Sequence, residues 1–237
     1  MVCAALDAPP QMSYNVRMFT GITQGLGILL LATETPSGRR LTCSLAELAH
    51  RAVSPGDSIS VSGVCLTVAQ TANGNVRFDA VAETLRRTTL GGKVSGDRVN
   101  LELSLRPVDY VGGHFVQGHI EAVASVVAIQ EQPDDWRITF SLPAACRAAV
   151  VPKGSVALDG VSMTVAAVAA DTFTVAVIPT TLEKTTLGGL QVQDKVNLET
   201  DILARSVVHA LSIQKEHHAE RGSVAPDATS RQQMAAL

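Results

Sequence analysis

The sequence repeats itself at an offset of 97 residues, and this internal duplication constrains the fold more than any other feature. Three segments of the first half match segments of the second half at that offset: 62–68 with 159–165, 84–92 with 181–189, and 99–102 with 196–199. A single offset kept over such a length is typical of a tandem duplication of one folding unit. Only the stretch around Phe78 and Phe173 requires a local shift of two residues.

The duplication divides the chain into two units of about 95 residues, a size at which a domain can fold by itself. The first unit spans 18–106 and the second spans 107–206, after an N-terminal extension, 1–17. The remaining segment, 207–237, is expected to hold most of a C-terminal helix and then a disordered tail. The helix is predicted from about Asp201 to His218, because Leu203, Val207 and Leu211 recur at every fourth position.

Each unit is predicted to be all-β. Short segments such as 58–61 and 98–102 alternate polar and apolar residues, and turn-forming residues such as 55–57 bound them. Several short strands at this spacing favour a small antiparallel barrel. One short helix is predicted in each unit, at 44–53 after a capping-box pattern and at 141–151.

The bulk composition excludes several functional classes. The 237 residues carry a net charge of −3, which argues against nucleic acid or an anionic membrane as the main partner. No apolar run reaches the length of a bilayer span, and residues 1–17 lack the pattern of a secretory signal or a transit peptide. The four cysteines form no CxxC pair, so we expect no disulfide framework, no zinc site and a cytoplasmic location.

The repeated segment Gly-Val-(Cys/Ser)-(Leu/Met)-Thr-Val is a candidate ligand-binding strand. A glycine ahead of a strand allows close approach of a ligand or another backbone. Because alternate side chains share one face of a strand, Cys65 and Thr67 lie on one face, as do Ser162 and Thr164. This face either contacts a ligand or is simply exposed to solvent, and the pattern alone leaves both interpretations open.

Two histidines, His114 and His119, lie in the glycine-rich stretch 112–119 at the start of the second unit. A metal site would need further ligands nearby, and none clusters there. Histidine titrates near neutral pH, which favours a general acid or base, while a hydrogen-bonded structural histidine remains the alternative. Cys65 has a similar alternative, since many cysteines are small buried apolar residues.

Together these segments resemble the riboflavin synthase family. The pentapeptide at 18–22, Met-Phe-Thr-Gly-Ile, is similar to the start of that family's members. The stretches 63–68, 112–119, 159–162 and 196–201 match further family motifs, and the resemblance covers about residues 18–206. It implies two similar six-stranded Greek-key barrels followed by a C-terminal helix. Ser62, Glu121 and Ser206 stand where members often have Asn, Asp and an aromatic residue.

The resemblance also implies site residues. Cys65 and His119 match positions implicated in catalysis, as nucleophile or proton-transfer groups, and Ser58 matches a catalytic-site residue near the acceptor pocket. Substrate contacts are expected on the same ground from a larger set: Gly63, Thr67, Glu83, Thr84, His114, Gly118, Lys153, Gly160, Ser162, Thr164, Ile178, Thr181 and Asp201.

The activity implied by the resemblance is a dismutation of two molecules of 6,7-dimethyl-8-ribityllumazine, in which a four-carbon unit passes from one to the other to give riboflavin. No metal or redox cofactor is expected. The implied assembly is a homotrimer with sites between neighbouring chains, and lumazine synthase is a further expected partner. The alternative is a non-catalytic lumazine- or flavin-binding protein of the same fold, a class that tends to lose the cysteine and histidine retained here as Cys65 and His119.

Overall fold

The computed structural model describes residues 18–132 and 135–223, with side chains of the last helix described as far as Lys215. The predicted N-terminal extension and residues 224–237 of the predicted tail lie outside the described residues. The described chain forms two closed six-stranded antiparallel barrels followed by one long helix. The predicted fold class is therefore confirmed.

The strands of the two barrels follow one another in chain order. The first barrel contains β1 (Gly25–Thr35), β2 (Gly38–Ser44), β3 (Ser58–Val61), β4 (Val64–Ala72), β5 (Asn75–Val81) and β6 (Arg98–Leu103), closed in the order β1-β2-β5-β4-β3-β6. The second contains β7 (Ala122–Gln130), β8 (Trp136–Ser141), β9 (Ser155–Leu158), β10 (Val161–Val168), β11 (Thr172–Val177) and β12 (Lys195–Thr200), closed in the order β7-β8-β11-β10-β9-β12. Each strand of the second barrel thus repeats the connectivity of a strand in the first.

Strand β4 shows why these residues form a barrel. Val64, Leu66 and Val68 are buried in the barrel core, while Cys65 and Thr67 lie on the outer face. Strand β10 repeats this arrangement, with Ser162 and Thr164 outside. The predicted division of the two faces is confirmed. The outer positions of both strands are therefore available to the rest of the molecule or to a ligand.

The duplication extends to irregular features of the strands. A β-bulge interrupts the β1–β2 pairing between Leu29 and Leu31, and another interrupts the β7–β8 pairing between Val126 and Ala128, at the same offset of 97. Bulges are features conserved within a fold family rather than accidents of packing. The two barrels are therefore copies in detail, not only in strand number.

The two-residue shift inferred around Phe78 and Phe173 is wrong. Phe78 pairs with Val68, and Val175, which lies 97 residues after Phe78, pairs with the equivalent Val165. The offset is thus constant. Residues two apart on a strand share one face, so a large ring can occupy the neighbouring inward position without any change of register. In the second barrel that ring is Phe173, stacked on Phe140 with ring centroids 5.6 Å apart.

The short helical segments differ from the prediction in type and in position. The helices predicted at 44–53 and 141–151 are short 3-10 turns, Ala46–His50 and Ala144–Cys146. The repeated segment Thr-Leu-X-X-Thr-Thr-Leu-Gly-Gly contains α-helices that were not predicted, followed in each barrel by a 3-10 turn. These elements are α1 (Ala82–Arg87) with Thr89–Gly92, and α2 (Pro179–Lys184) with Thr186–Gly189.

The C-terminal helix α3 (Ile202–Ser223) begins one residue after the predicted start and continues past His218. Leu203, Val207 and Leu211 lie on it with 51% to 61% of their surface exposed. These apolar side chains are therefore not covered within the described chain. Within the described ranges, no helix has the length and apolar character needed to cross a membrane.

Candidate active site

The two barrels meet through polar residues of equivalent strands. The Asn100 side chain donates a hydrogen bond to the Asp159 carbonyl at 2.9 Å, and the Asn197 side chain donates one to the Ser62 carbonyl at 2.8 Å. Both asparagines are almost fully buried. The repeated Val-Asn-Leu-Glu segment therefore supplies a reciprocal pair of contacts, which relates the barrels by an approximate two-fold symmetry.

Gly63 and Gly160 lie at the centre of this contact. A Cβ on Gly63 would be 2.7 Å from the Gly160 nitrogen, and a Cβ on Gly160 would be 2.7 Å from the Gly63 nitrogen. Both residues also have a positive φ, which L side chains rarely adopt. The structure thus gives these two glycines a role in bringing the barrels together, and the substrate contact expected of them remains a prediction.

The start of each unit lies against a strand of the other unit: the segment of Gly118 against β4, and the segment of Gly21 against β10. The Cys65 amide on β4 donates to the Gly118 carbonyl at 2.9 Å, and the Ser162 amide on β10 donates to the Gly21 carbonyl at 2.7 Å. A Cβ on either Gly118 or Gly21 would be 2.6 Å from the Cβ of its partner. Because His119 directly follows Gly118, this exchange brings His119 beside the strand that carries Cys65.

A buried carboxylate holds each exchanged segment. Glu199 accepts hydrogen bonds from the amides of Gln117 at 2.7 Å, Gly118 at 2.9 Å and His119 at 3.1 Å. Burial raises the pKa of Glu199 to about 7, and the three amide donors oppose that shift. The segment carrying His119 is thus fixed at its backbone by three hydrogen bonds to one side chain.

Glu102 has the same role in the first unit. It accepts from the Thr20 amide at 2.6 Å, from the Thr20 hydroxyl at 2.8 Å and from the Gly21 amide at 2.9 Å. Its pKa is also raised to about 7 by burial. Neither glutamate is among the site residues predicted from the sequence. The signal in the sequence is the repeated Val-Asn-Leu-Glu segment, which places a glutamate at the same position of a buried strand in both units.

Around Cys65 the structure gathers several of the predicted residues of the first barrel. Thr67 is exposed two residues along β4, and Ser58 on β3 lies opposite it in register. Ser58 is buried and lines a cleft of about 270 Å³ together with Arg51 and Arg106. These positions form one polar surface on the outside of the barrel, next to the exchanged segment.

Glu83 and Thr84 lie on α1, which follows the end of β5. Glu83 is exposed and forms ion pairs with Arg86 and Arg87, which hold its pKa below the ordinary value. The Thr84 carbonyl accepts a hydrogen bond from the Thr88 hydroxyl at 2.7 Å. Both expected substrate contacts thus have partners within the chain, and a lumazine would compete with Arg86 and Arg87 for Glu83.

The thiols of the described chain differ in their surroundings. Burial raises the pKa of Cys43 to about 12 and that of Cys146 to about 11, which leaves both almost entirely protonated at neutral pH. Cys65 is only partly buried and faces outward from β4. It packs against the buried apolar cluster of Phe19, Val116 and Ala157, so its surroundings differ from the barrel cores that enclose Cys43 and Cys146.

The second barrel carries the equivalent polar surface. The His114 Nδ1 lies 2.7 Å from the Ser162 hydroxyl, and Thr164 is exposed two residues along β10. Burial lowers the pKa of His114, and the nearby Asp201 carboxylate partly opposes this. Within the described part of the chain, the other ring nitrogen of His114 is buried without a hydrogen-bond partner. Burial thus favours the neutral form of His114, and its Nδ1 is placed to orient the Ser162 hydroxyl.

Lys153 occupies a turn in an unusual backbone conformation. Its φ of +65° lies in the left-handed region, and Gly56 occupies the equivalent turn of the first barrel with φ of +96°. A non-glycine residue in this region costs about 1–2 kcal/mol. The turn in the second barrel thus carries a cation at a position where the first barrel has no side chain.

Ile178 and Thr181 lie at the beginning of α2. Ile178 is exposed and lines a cleft of about 270 Å³ together with Trp136 and Leu182. The Thr181 carbonyl accepts from the Thr185 hydroxyl at 2.7 Å, as Thr84 does in the first barrel. The predicted residues thus lie on both barrels and on the exchanged segment, and Gly63 and Gly160 lie between the barrels.

Comparisons with known proteins find similarity over both barrels. The family described as lumazine binding domain matches twice, at residues 20–104 and 117–201. The riboflavin synthase of Mycobacterium tuberculosis is 41% identical over 199 residues, which cover 80% of this chain and 96% of that protein. The riboflavin synthase of Escherichia coli is 37% identical over 192 residues, covering 81% of this chain and 90% of that protein.

Solved structures of LumP have the same fold. The complex of LumP with riboflavin has a TM-score of 0.70 at 28% identity, and the complex with 6,7-dimethyl-8-(1'-D-ribityl) lumazine has a TM-score of 0.69 at 26% identity. Each covers 77% of this chain and 98% of LumP.

Proposed function

The chain belongs to the riboflavin synthase family, with two lumazine-binding domains in tandem, and we propose that it converts two molecules of 6,7-dimethyl-8-ribityllumazine into one riboflavin. A four-carbon unit passes from one lumazine to the other, and the donor leaves as 5-amino-6-ribitylamino-pyrimidinedione. The observation that carries the proposal is the pair of equivalent polar surfaces, each built on an exchanged glycine segment. Two related pockets suit a reaction between two copies of one substrate.

The reaction requires the protein to transfer protons and to orient two substrate molecules. One lumazine loses a proton from its C7 methyl group, and the other is attacked at its electrophilic C7. Two reactants held in the correct mutual orientation gain roughly 7–11 kcal/mol over reaction in solution. Cys65 and His119 are the proposed nucleophile or proton-transfer groups of the first barrel, because the Cys65 amide bonds to the carbonyl of Gly118, the residue before His119.

Hydrogen-bonding groups of the second barrel would hold the other lumazine. Ser162, oriented by His114, and the exposed Thr164 present hydroxyls that suit the ring or the ribityl chain of the substrate. Lys153, whose amide donates to the Val165 carbonyl next to Thr164, and Asp201, whose carboxylate acts on His114, add one charge of each sign. We assign these residues to binding rather than to chemistry.

The reaction is a group transfer whose atoms balance without an oxidant, a reductant or water. We therefore propose a transferase that works without a cofactor. We also propose that it acts in the cytoplasm. Lumazine synthase, which would supply the substrate, remains a proposed partner.

We further propose that the active assembly is a homotrimer. The exposed apolar side chains of Leu203, Val207 and Leu211 on α3 support this, because a helix face of this kind is stabilised by packing against other helices. In such an assembly a lumazine on the first barrel of one chain faces a lumazine on the second barrel of its neighbour. The reaction centre then includes residues of two chains.

A non-catalytic lumazine- or flavin-binding protein is the second candidate, since LumP has the same fold. Two observations favour the enzyme. The riboflavin synthases are 37% to 41% identical to this chain, against 26% to 28% for LumP. In addition, Cys65 and His119 are both present, and the carbonyl of Gly118, the residue before His119, accepts a hydrogen bond from the Cys65 amide.

One experiment separates the two candidates. Purified protein is incubated with 6,7-dimethyl-8-ribityllumazine, and the riboflavin that forms is followed by its absorbance while binding is measured by fluorescence. Catalytic turnover well beyond one riboflavin per chain supports the synthase. Tight binding with no riboflavin formed would identify a binding protein instead.

A further inference from the structure

The first turn of α3 is fastened to the segment that carries His119. The Arg205 Nη2 donates a hydrogen bond to the Gln117 Oε1 at 2.7 Å, and its Nη1 forms an ion pair with the Glu121 Oε1 at 2.9 Å. One guanidinium therefore reaches two residues that lie on either side of Gly118 and His119. The planar, forked group of arginine can bind both acceptors at once, which an ammonium group does less well.

Both Gln117 and Glu121 are also hydrogen-bonded to residues of β12 in the second barrel. The Gln117 amide donates to Glu199, next to the amides of Gly118 and His119. The Glu121 Oε1 accepts from both the amide and the hydroxyl of Thr200 at 2.7 Å, at the end of β12 where α3 begins. Arg205 thus closes a network that runs from the helix, through this segment, to the amide of Cys65.

The first barrel contains an equivalent segment that lacks the arginine. Its equivalent of Glu121 is Gln24, whose side-chain oxygen accepts from the Leu103 amide at 3.1 Å, the position equivalent to Thr200. A neutral amide is therefore enough to hold the strand end. The equivalent of Arg205 is Val108, which is 80% exposed. The carboxylate and the guanidinium occur together only in the copy of the segment that carries the histidine.

We propose that Arg205 is a positioning residue, which holds the Gln117–Glu121 segment so that His119 stays beside Cys65 and thereby couples α3 to the reaction centre. The inference rests on the proposed function, since it assigns Arg205 to the riboflavin-forming reaction. It adds a residue outside the predicted site, on the element proposed to form the trimer contact.

The test compares four variants of the full-length protein: Arg205→Ala, Arg205→Lys, Gln117→Ala and the double variant Arg205→Ala/Gln117→Ala. Arg147→Ala is the matched control, because Arg147 forms an ion pair with Asp171 in which both side chains are more than half exposed. For each variant kcat and KM are measured separately, with thermal melting and light scattering on the same preparation.

Arg205→Ala is expected to lower kcat about tenfold, equivalent to about 1.4 kcal/mol of activation free energy, with KM changed less than threefold. Arg205→Lys, which keeps the ion pair but not the fork, should fall between this variant and the wild type. Gln117→Ala should lower kcat although α3 and its ion pair to Glu121 are intact. The double variant should be no slower than Arg205→Ala, because both changes remove the same hydrogen bond between Arg205 and Gln117.

The proposal is overturned if Arg205→Ala and Gln117→Ala keep kcat within twofold of Arg147→Ala, even when their melting temperatures fall. It is also overturned if activity falls only in proportion to lost assembly, since Arg205 would then act on the oligomer alone. A wild-type protein that makes no riboflavin would instead refute the proposed function, before any variant is compared.

Discussion

Replacing Gly118 by alanine tests whether the exchange of segments between the barrels determines both stability and activity. The new methyl carbon would lie 2.6 Å from the Cβ and 2.6 Å from the amide nitrogen of Cys65. Carbon atoms at such a distance repel strongly, so either the segment or β4 must move. The residue would also have to keep a φ of +76° or refold the turn.

Two costs add in this variant. The left-handed conformation costs about 1–2 kcal/mol for a non-glycine residue. Forcing an extra methyl group into a packed contact costs about 1–3 kcal/mol. The free energy of unfolding should therefore fall by about 2–5 kcal/mol, and Tm by about 5–15 °C for a chain of this size. Because the methyl group separates Cys65 from the segment carrying His119, kcat should fall as well.

Gly56→Ala is the control. Gly56 has a φ of +96°, but a Cβ on it would meet no atom within 4 Å. It therefore carries the conformational cost without the steric contact, and it should lower Tm by less while kcat stays near the wild-type value. Melting curves and turnover are measured on both variants. If Gly118→Ala melts and turns over like Gly56→Ala, the close contact with Cys65 is not what the structure indicates.

Three further predictions follow from other parts of the site. Cys65→Ala and His119→Ala should each reduce turnover by about 10²–10⁴-fold in a folded protein, and steady-state kinetics showing near-normal kcat in both would make them structural residues. Burial raises the pKa of Asp159 to about 7, so its contribution to stability is greatest below its ordinary pKa of about 4 and is lost as the pH rises through 7. Asp159→Ser, which copies Ser62 of the first barrel, should make the unfolding free energy depend less steeply on pH over that range, with a remaining slope from Glu102 and Glu199, whose pKa values are also raised to about 7. An unchanged slope of the unfolding free energy against pH, measured by denaturant titrations, would contradict the assignment. Truncation after Ile202 should give a monomer by light scattering that still binds lumazine but forms little riboflavin, whereas a fully active monomer would exclude the inter-chain site.

The repeat and the alternation of residues were enough to predict the barrels. Cys65 and Thr67 were assigned to one outer face because a strand has a period of two, and that depends only on local geometry. The misplaced shift at Phe78 and Phe173 shows the limit of matching side chains alone. Backbone pairing kept one offset while the bulky ring moved to another inward position.

The contacts that build the site could not be predicted because they join distant parts of the chain. The sequence places Gly118 at the start of the second unit, and nothing local indicates that it lies on β4 of the first. Glu199 was hidden for a related reason, since a buried glutamate in a strand can only be explained by the amides that it binds. Arg205 reads as an ordinary exposed helix residue until the position of Gln117 is known.

The stoichiometry of the complete reaction tests the central claim most directly. Protein freed of metals and small molecules by chelation and gel filtration is given a known amount of 6,7-dimethyl-8-ribityllumazine, and both products are quantified by liquid chromatography with mass spectrometry. The account predicts one riboflavin and one 5-amino-6-ribitylamino-pyrimidinedione for every two lumazines consumed, with no added cofactor. Consumption of one lumazine for each riboflavin, or a requirement for an added metal ion or nicotinamide, would contradict it.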